Sequence, residues 1–171
     1  RINFCNALHT LRIKGYGDCA QALARLKDST TLESLTLDLY RNGMGDAGAL
    51  ALATLKDSTT LRTLTLNLGG NKIAAAGAQA LGMLKDSTTL HTLTLDLSGN
   101  KMGDAGAQAL AALLKDTATL HTLTLDLTCN RIGDAGAQAL AMLKTLRTLY
   151  LGLFGNEMGD VGAQALAMLE D

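Results

Sequence analysis

The sequence predicts an α/β solenoid, in which short strands and short helices alternate along a repeated unit. Leucine-led segments recur 24 to 30 residues apart, and they start near Leu8, Leu32, Leu61, Leu90, Leu120 and Leu146. Each segment opens with alternating leucines and continues into a stretch rich in Gly and Ala. A period in this range is typical of repeat proteins, whose stacked units share one continuous core.

The fullest unit, residues 90–119, shows how each segment divides. Its first part alternates Leu93, Leu95 and Leu97 with threonine or aspartate, which predicts a strand with one buried face. The following "GDAGAQALAALLK" predicts a short helix. We interpret Asp104 as the N-cap of that helix, because its side-chain oxygen can accept unpaired backbone N–H groups.

The aspartate and the glycine of this helix recur in other units. The aspartate is repeated as Asp46, Asp134 and Asp160, whereas the third unit has Ala75. We therefore predict that the helix of the third unit is less stable at its start, by about 1 kcal/mol. Glycine in the first turn costs helix propensity, so we expect it to let the helix approach the strand closely. These glycines are Gly48, Gly77, Gly106, Gly136 and Gly162.

The recurring "GDAGAQALA" helices and leucine strands resemble the leucine-rich repeat family, and most closely its ribonuclease-inhibitor-like subclass. The resemblance covers about residues 8–171. It implies a right-handed, horseshoe-shaped solenoid with a concave parallel sheet and convex short helices. It also implies a ladder of asparagines in the turns, where a buried amide can satisfy unpaired backbone groups. The ladder residues would be Asn42, Asn71, Asn100, Asn130 and Asn156.

Two features depart from the family pattern. The leucine spacing is LxxLxLxLxxN rather than LxxLxLxxN, which adds one full strand period. We interpret this as a longer strand, with a bulge between Leu90 and Leu95 as the alternative. The first unit, "LHTLRIKGYGDCAQALARL", is shorter and lacks the ladder asparagine, so we predict a degenerate end unit within a single domain over residues 1–171. Solenoid ends need a polar cover, so we expect other groups to cover them or the chain to belong to a longer array.

Composition narrows the functional classes. The 171 residues are 47% hydrophobic and 18% charged, as expected for a folded domain. A net charge of −1 argues against a dedicated binder of nucleic acid or anionic membranes. The three cysteines are odd in number and form no CxxC pair, so a disulfide framework is not predicted. We therefore expect a reducing, intracellular compartment, with the organelle left open.

No motif predicts catalysis. The sequence contains no phosphate-binding loop, no GxSxG, no HExxH and no calcium loop, so we expect neither enzymatic activity nor a cofactor. His91 and His121 occupy equivalent positions of adjacent units and could share a metal or act as a pH-sensitive pair. No cysteine or carboxylate completes a metal-ligand set in that column, which favours solvent-exposed histidines at the strand edge.

Outward-pointing strand residues form columns across the predicted concave face, because strand side chains alternate. Aromatic residues make up only 3% of the chain, yet Tyr40, Tyr150 and Phe154 fall in these columns. Tyrosine and arginine are enriched in interface hot spots, so we add Arg41 to the candidate site. Six strands about 4.8 Å apart give a surface roughly 24 Å across, which suits a protein segment. The alternative is sequence drift in terminal repeats.

Acidic residues form the middle of the same candidate site. Asp38, Asp96 and Asp126 occupy one column, and the last two fall on adjacent strands. Two carboxylates about 5 Å apart in water repel by about 0.8 kcal/mol, which a basic partner would relieve. The alternative interpretation is that they are solvated residues of the repeat consensus.

The sequence therefore favours a non-catalytic module that binds a protein partner on its concave face. A second hypothesis is a scaffold subunit, or part of a longer array, that assembles through uncapped ends. A third follows from the resemblance alone, since the subclass includes Ran GTPase-activating proteins and receptor sensor domains. No residue of the chain specifically supports this third hypothesis.

Overall fold

The computed structural model describes residues 10–14, 20–115 and 117–170. The predicted unit start at Leu8 and the cysteines Cys5 and Cys19 lie outside these residues. Within them the chain forms six strands: Thr10–Lys14 (β1), Ser34–Asp38 (β2), Thr63–Asn67 (β3), Thr92–Asp96 (β4), Thr122–Asp126 (β5) and Thr148–Gly152 (β6).

Helices alternate with the strands along the described chain. They comprise Ala20–Ala24 (α1), Gly45–Ala53 (α2), Ala75–Gly82 (α3), Gly103–Leu114 (α4), Asp134–Leu140 (α5) and Asp160–Ala167 (α6). Short 3₁₀ turns follow α1, α2, α3 and α6, at Arg25–Asp28, Thr54–Asp57, Met83–Asp86 and Met168–Glu170. None of the described helices is both long and apolar enough to cross a membrane.

The strands form one parallel sheet in chain order, β1 to β6. Equivalent residues pair in register, so that Leu64 lies beside Leu93 and Leu93 beside Leu123. The sequence therefore builds an α/β solenoid, as predicted, in which each helix returns the chain to the next parallel strand.

Backbone pairing extends beyond the five-residue strands. The N–H of Leu39 donates to the Asn67 carbonyl at 2.9 Å, although β2 ends at Asp38. At the strand start, the N–H groups of His121 and Thr122 both donate to the His91 carbonyl. The two additional residues of the repeat thus lengthen the segment that pairs with the neighbouring strand. At the strand start this pairing is irregular, because two N–H groups share one carbonyl acceptor.

Leucines from the strands fill a core between the sheet and the helices. In β2 to β5 the inward leucines are fully buried. The leucine that follows each of these strands, such as Leu97 after β4, is buried as well. Small helical residues such as Ala107 complete the core. Leu149 and Leu151 in β6 are only half-buried, because β6 lies at the edge of the sheet.

The aspartates do not cap the helices in which they lie, which corrects the sequence interpretation. Asp104 is in the first turn of α4, and its Oδ1 accepts the N–H groups of Gly133 and Gly136, at 2.7 and 2.9 Å. These donors belong to the start of α5, in the next unit. Asp46 binds the start of α3 and Asp134 the start of α6 in the same way. Each of these aspartates therefore joins its unit to the following one.

The prediction for the third unit is wrong for the same reason. Its helix α3 receives a cap from Asp46, so Ala75 costs α3 nothing at this position. The missing carboxylate instead affects α4, the next helix along the chain. That helix starts one residue earlier, with Gly103 at φ +61°, whereas Gly133 at the start of α5 is extended at φ −96°.

Three of the first-turn glycines, Gly77, Gly136 and Gly162, make room for the carboxylate of the preceding unit. A Cβ at Gly136 would lie 2.7 Å from Asp104 Oδ1 and 3.1 Å from the Ala107 side chain. At Gly162 the corresponding distance to Asp134 Oδ1 is also 2.7 Å. These three glycines therefore allow close contact between neighbouring helices, not the helix–strand approach that the sequence suggested. At Gly48 and Gly106 a Cβ would instead meet the side chain of Met44 or Met102, just before the same helix.

Candidate protein-interaction surface

The concave face consists of the outward side chains of the strands and of the turn residues that follow them. A row of half-buried threonines crosses its middle, at Thr36, Thr65, Thr94 and Thr124. Tyr150 pairs with Thr124 across the sheet and ends this row. The middle of the face is thus small and polar, and a large aromatic ring stands at its C-terminal end.

The three candidate aromatic side chains are strongly exposed. Tyr40 is 48% exposed, Tyr150 62% and Phe154 83%. Phe154 and Tyr150 belong to the same unit, and we refer to these two exposed side chains as the aromatic patch. Exposed large aromatic side chains of this kind are the ones that interfaces use as anchors.

Tyr40 is held against the sheet by its neighbours. A Cβ at Gly69 would lie 2.9 Å from Tyr40 Cδ2, so the ring occupies the space that a side chain would need there. The Arg41 guanidinium lies 5.1 Å from the centre of the Tyr40 ring, in cation–π contact. Arg41 also covers Gly70. The two candidate residues at this end therefore form one ordered pair.

The candidate aspartates have a structural role that the sequence interpretation missed. Asp96 Oδ1 accepts the Ser98 N–H at 2.9 Å, and Asp126 Oδ1 accepts the Thr128 N–H at 2.8 Å. Such turns, in which an Asp or Asn side chain binds the backbone two residues on, were recognisable from the Asp-x-Ser and Asp-x-Thr spacing. One carboxylate oxygen thus supports the turn, and the charge remains on the concave face.

Asp38 belongs to a small polar network at the N-terminal side. It accepts a hydrogen bond from Asn67 Nδ2 at 3.1 Å and forms a 3.6 Å ion pair with Lys14. Gly152 takes the equivalent position in the last unit and has no carboxylate. The column therefore holds aspartate in β2, β4 and β5, with Asn67 in β3, and its carboxylates end before the aromatic patch.

The five asparagines lie in the turns and join successive units. The Oδ1 of Asn100 accepts the N–H groups of Asn71 and Ile73, both at 2.9 Å. Its amide donates to carbonyls of its own unit and of the unit before it. Asn71, Asn130 and Asn156 bind the preceding unit in the same way. Asn42 contributes the N–H that Asn71 accepts, so these residues support the solenoid rather than a contact site.

Basic and imidazole side chains lie at the opposite ends of the strands. This column contains Glu33, Arg62, His91, His121 and Arg147. The rings of His91 and His121 are 5.5 Å apart and meet edge to face. In the described part of the chain, no group of three or more His, Cys, Asp or Glu side chains could hold a metal ion. From β3 to β6 the strand starts therefore carry arginine or histidine, whereas the strand ends of β2, β4 and β5 carry aspartate.

The helix side also exposes apolar side chains, but on the opposite surface. Leu50 is 57% exposed, Met142 60%, Val161 52% and Met168 60%. They come from different helices and from the turns that follow them. These residues provide a matched control for experiments on the aromatic patch.

Comparisons with known proteins support the repeat architecture. A family model described as Leucine Rich repeat matches residues 29–53, 58–82, 89–111, 119–141 and 143–167. Among solved structures, the chain is similar to leiomodin-1 actin-binding site 2, at 17% identity and a TM-score of 0.57. That likeness covers 89% of this chain and 88% of the other, and it shows the fold alone. No curated protein matches the chain significantly.

Proposed function

The chain belongs to the leucine-rich repeat family, and from that premise we propose that it is a non-catalytic module that binds a protein partner on its concave face. The exposure of Tyr150 and Phe154 on one unit carries the proposal. Equivalent positions in the interior units hold small residues, such as Thr124 and Ser98. The last unit thus presents much more apolar area to a partner than the repeat itself requires.

The partner is an elongated protein segment that spans several strands. Tyr40 and Arg41 contact it near the N-terminal side of the face, and Tyr150 and Phe154 at the C-terminal side. Their strands, β2 and β6, are four steps apart, or about 19 Å. The threonine row between them offers hydroxyl groups without large obstructing side chains.

The charge distribution sets the orientation of the partner. Asp96 and Asp126 favour basic side chains along one edge of the segment. The column that includes Arg62 and Arg147 favours acidic side chains along the other edge. Complementary charges accelerate association and fix the binding register more than they raise affinity. The structural likeness to leiomodin-1 actin-binding site 2 is compatible with a protein partner, without identifying it.

Affinity capture from the native source, with mass spectrometry of the bound proteins, tests the proposal. We expect the wild-type chain to retain a partner that the variant Tyr150→Ala/Phe154→Ala loses. Truncation of hot-spot aromatic side chains commonly costs about 2 kcal/mol each, so binding should weaken by 30-fold or more. Because both rings are exposed, the melting temperature should change little.

A matched control removes apolar area from the other side of the molecule. The variant Leu50→Ala/Met142→Ala truncates two exposed residues of the helix side. We expect it to capture the same partner as the wild type. Equal retention by the concave-face variant, or loss of the partner only in the helix-side variant, would refute concave-face binding.

A further inference from the structure

We propose that three cations in the turns after β3, β4 and β5 form a docking surface for an acidic peptide segment in an extended conformation. They are Lys72, Lys101 and Arg131, and we call them the turn row. The turn row lies in interior units and contains no residue of the proposed concave-face site. The inference is therefore independent of the proposed function.

The asparagine ladder fixes the backbone around each cation of the turn row. Lys72 lies between two residues whose N–H groups share one acceptor. These residues, Asn71 and Ile73, both donate to Asn100 Oδ1, at 2.9 Å. The next asparagine of the ladder holds the turn at each of the other two cations in the same way. The fold therefore sets the position from which each cationic side chain extends.

Each cation of the turn row has a left-handed backbone conformation, with φ of +63°, +64° and +60° in chain order. Residues with a Cβ rarely adopt this conformation, whereas glycine adopts it readily. The unit of β2 has glycine at the same position, namely Gly43 with φ +68°. Side chains held in such a conformation are commonly functional. Three interior units thus carry a cation where the turn itself requires only glycine.

The three cationic side chains are exposed, and they form no ion pair within the part of the chain that the structure describes. The carboxylates of Asp46 and Asp104 bind helix starts, two residues beyond the first and the last cation. The equivalent residue for Lys101 is Ala75, which has no charge. In the unit of β6 the position holds Glu157, so the row ends there. The middle of the turn row therefore carries positive charge that the preceding unit does not offset.

A second row of lysines in the chain has the opposite arrangement. Lys27, Lys56 and Lys85 occupy equivalent positions of three consecutive units. Each of them pairs with the aspartate that follows it, at 3.3, 3.3 and 3.2 Å. This second row is neutralised within the repeat, whereas the turn row leaves its charge available to an anionic group outside the chain.

The length of the turn row fits a short acidic peptide. The turns follow adjacent strands, which lie about 4.8 Å apart, so the row spans about 10 Å. In an extended peptide, alternate side chains lie on one side and about 6.6 Å apart, so two or three acidic residues can face the row. Segments that bind anionic membranes have about four to eight clustered cations, and nucleic-acid binding needs a broad basic surface. A row of three cations on a chain of net charge −1 provides neither.

Fluorescence anisotropy of the 171-residue chain with a labelled peptide of alternating Glu and Ser tests the proposal. We expect binding at about 20 mM salt, where surface charges are little screened, and weaker binding at about 150 mM. The variant Lys72→Gly/Lys101→Gly/Arg131→Gly should weaken binding about ten-fold, since each exposed charge pair contributes about 2- to 5-fold. This variant should keep the wild-type fold, because Gly43 already shows that glycine fits the turn.

A matched control removes the paired lysines. The variant Lys27→Gln/Lys56→Gln/Lys85→Gln lowers the positive charge of the chain by the same amount. It should bind the peptide within about two-fold of the wild type, because only the distant, screened charge changes. An equal loss in both variants would overturn the inference, as would no binding to the wild type at about 1 mM. Tighter binding of a thymidine oligonucleotide of equal charge would contradict a peptide as the occupant.

Backbone amide NMR locates the bound peptide. The largest shifts should fall on the residues that follow the cations, Ile73, Met102 and Ile132. The largest shifts in the threonine row would place the peptide on the concave face and contradict the inference. The Tyr150→Ala/Phe154→Ala variant retains the turn row and should bind the peptide as the wild type does. Because the glycine variant retains both rings, failure of either proposal appears in its own variant.

Discussion

The unit that contains β4 and the unit that contains β6 share most of their residues but differ in the contacts that those residues make. Asp104 binds the start of the following helix, whereas Asp160 is exposed and has no following helix in the described chain. Leu95 is fully buried, whereas Leu151 is half-exposed. A repeat is thus completed by its neighbour, and among the described residues no later unit is present to complete the unit of β6.

Leucine truncation should separate the two units most strongly. Leu95→Ala would remove a fully buried side chain of β4 and leave a cavity, at a cost of about 3 kcal/mol in the free energy of unfolding. Leu151→Ala should cost only about 1 kcal/mol, because water already reaches that side chain. Urea unfolding of both variants measures the difference in the free energy of unfolding. Equal costs would show that the last unit is as well packed as the interior.

Asparagine replacement should give the next largest effect. Asn100→Ala would leave the buried N–H groups of Asn71 and Ile73 without an acceptor, at a cost of about 2 kcal/mol or more. Asn156→Ala should cost about 1 kcal/mol, because its site is partly hydrated. Thermal unfolding at matched concentration compares the two. A larger loss at Asn156 than at Asn100 would contradict the comparison.

Restoring the missing aspartate should give a small gain. Ala75→Asp would supply a carboxylate to the start of α4, as Asp104 does for α5. We expect a gain of about 0.5 kcal/mol, since Gly103 can change from a left-handed to an extended conformation. Chemical unfolding measures it, with Ala76→Asp as a control for added charge. A gain that is equal in both variants would indicate a general charge effect.

Much of the fold follows from local sequence patterns. The alternating leucines predict the strands, because apolar residues at a period of two place one face of a strand in the core. The Ala-rich segments between them predict the helices. The asparagine positions were also predictable, because the family resemblance assigns them to the turns. The positions of Tyr40, Tyr150 and Phe154 on the strand side followed from the same alternation.

Contacts between units were not predictable in the same way. Asp104 has the sequence context of a local cap, but the carboxylate reaches donors about 30 residues ahead because neighbouring helices pack closely over Gly136. The sequence of a single unit does not indicate that the carboxylate binds the following helix. Among the units, only the one with Ala75 in place of the aspartate shows what its absence changes. The turns at Asp96 and Asp126, by contrast, are local and were predictable from the Asp-x-Ser and Asp-x-Thr spacing.

Backbone amide hydrogen exchange of Asp104→Ala tests most directly whether each unit is completed by its neighbour. The expected result is faster exchange at Gly133 and Gly136, at the start of α5, with Gly106 in α4 unchanged, because Asp104 Oδ1 accepts only the first two N–H groups. Faster exchange at Gly106, with Gly133 and Gly136 still protected, would mean that the aspartate caps its own helix and would contradict the forward contact.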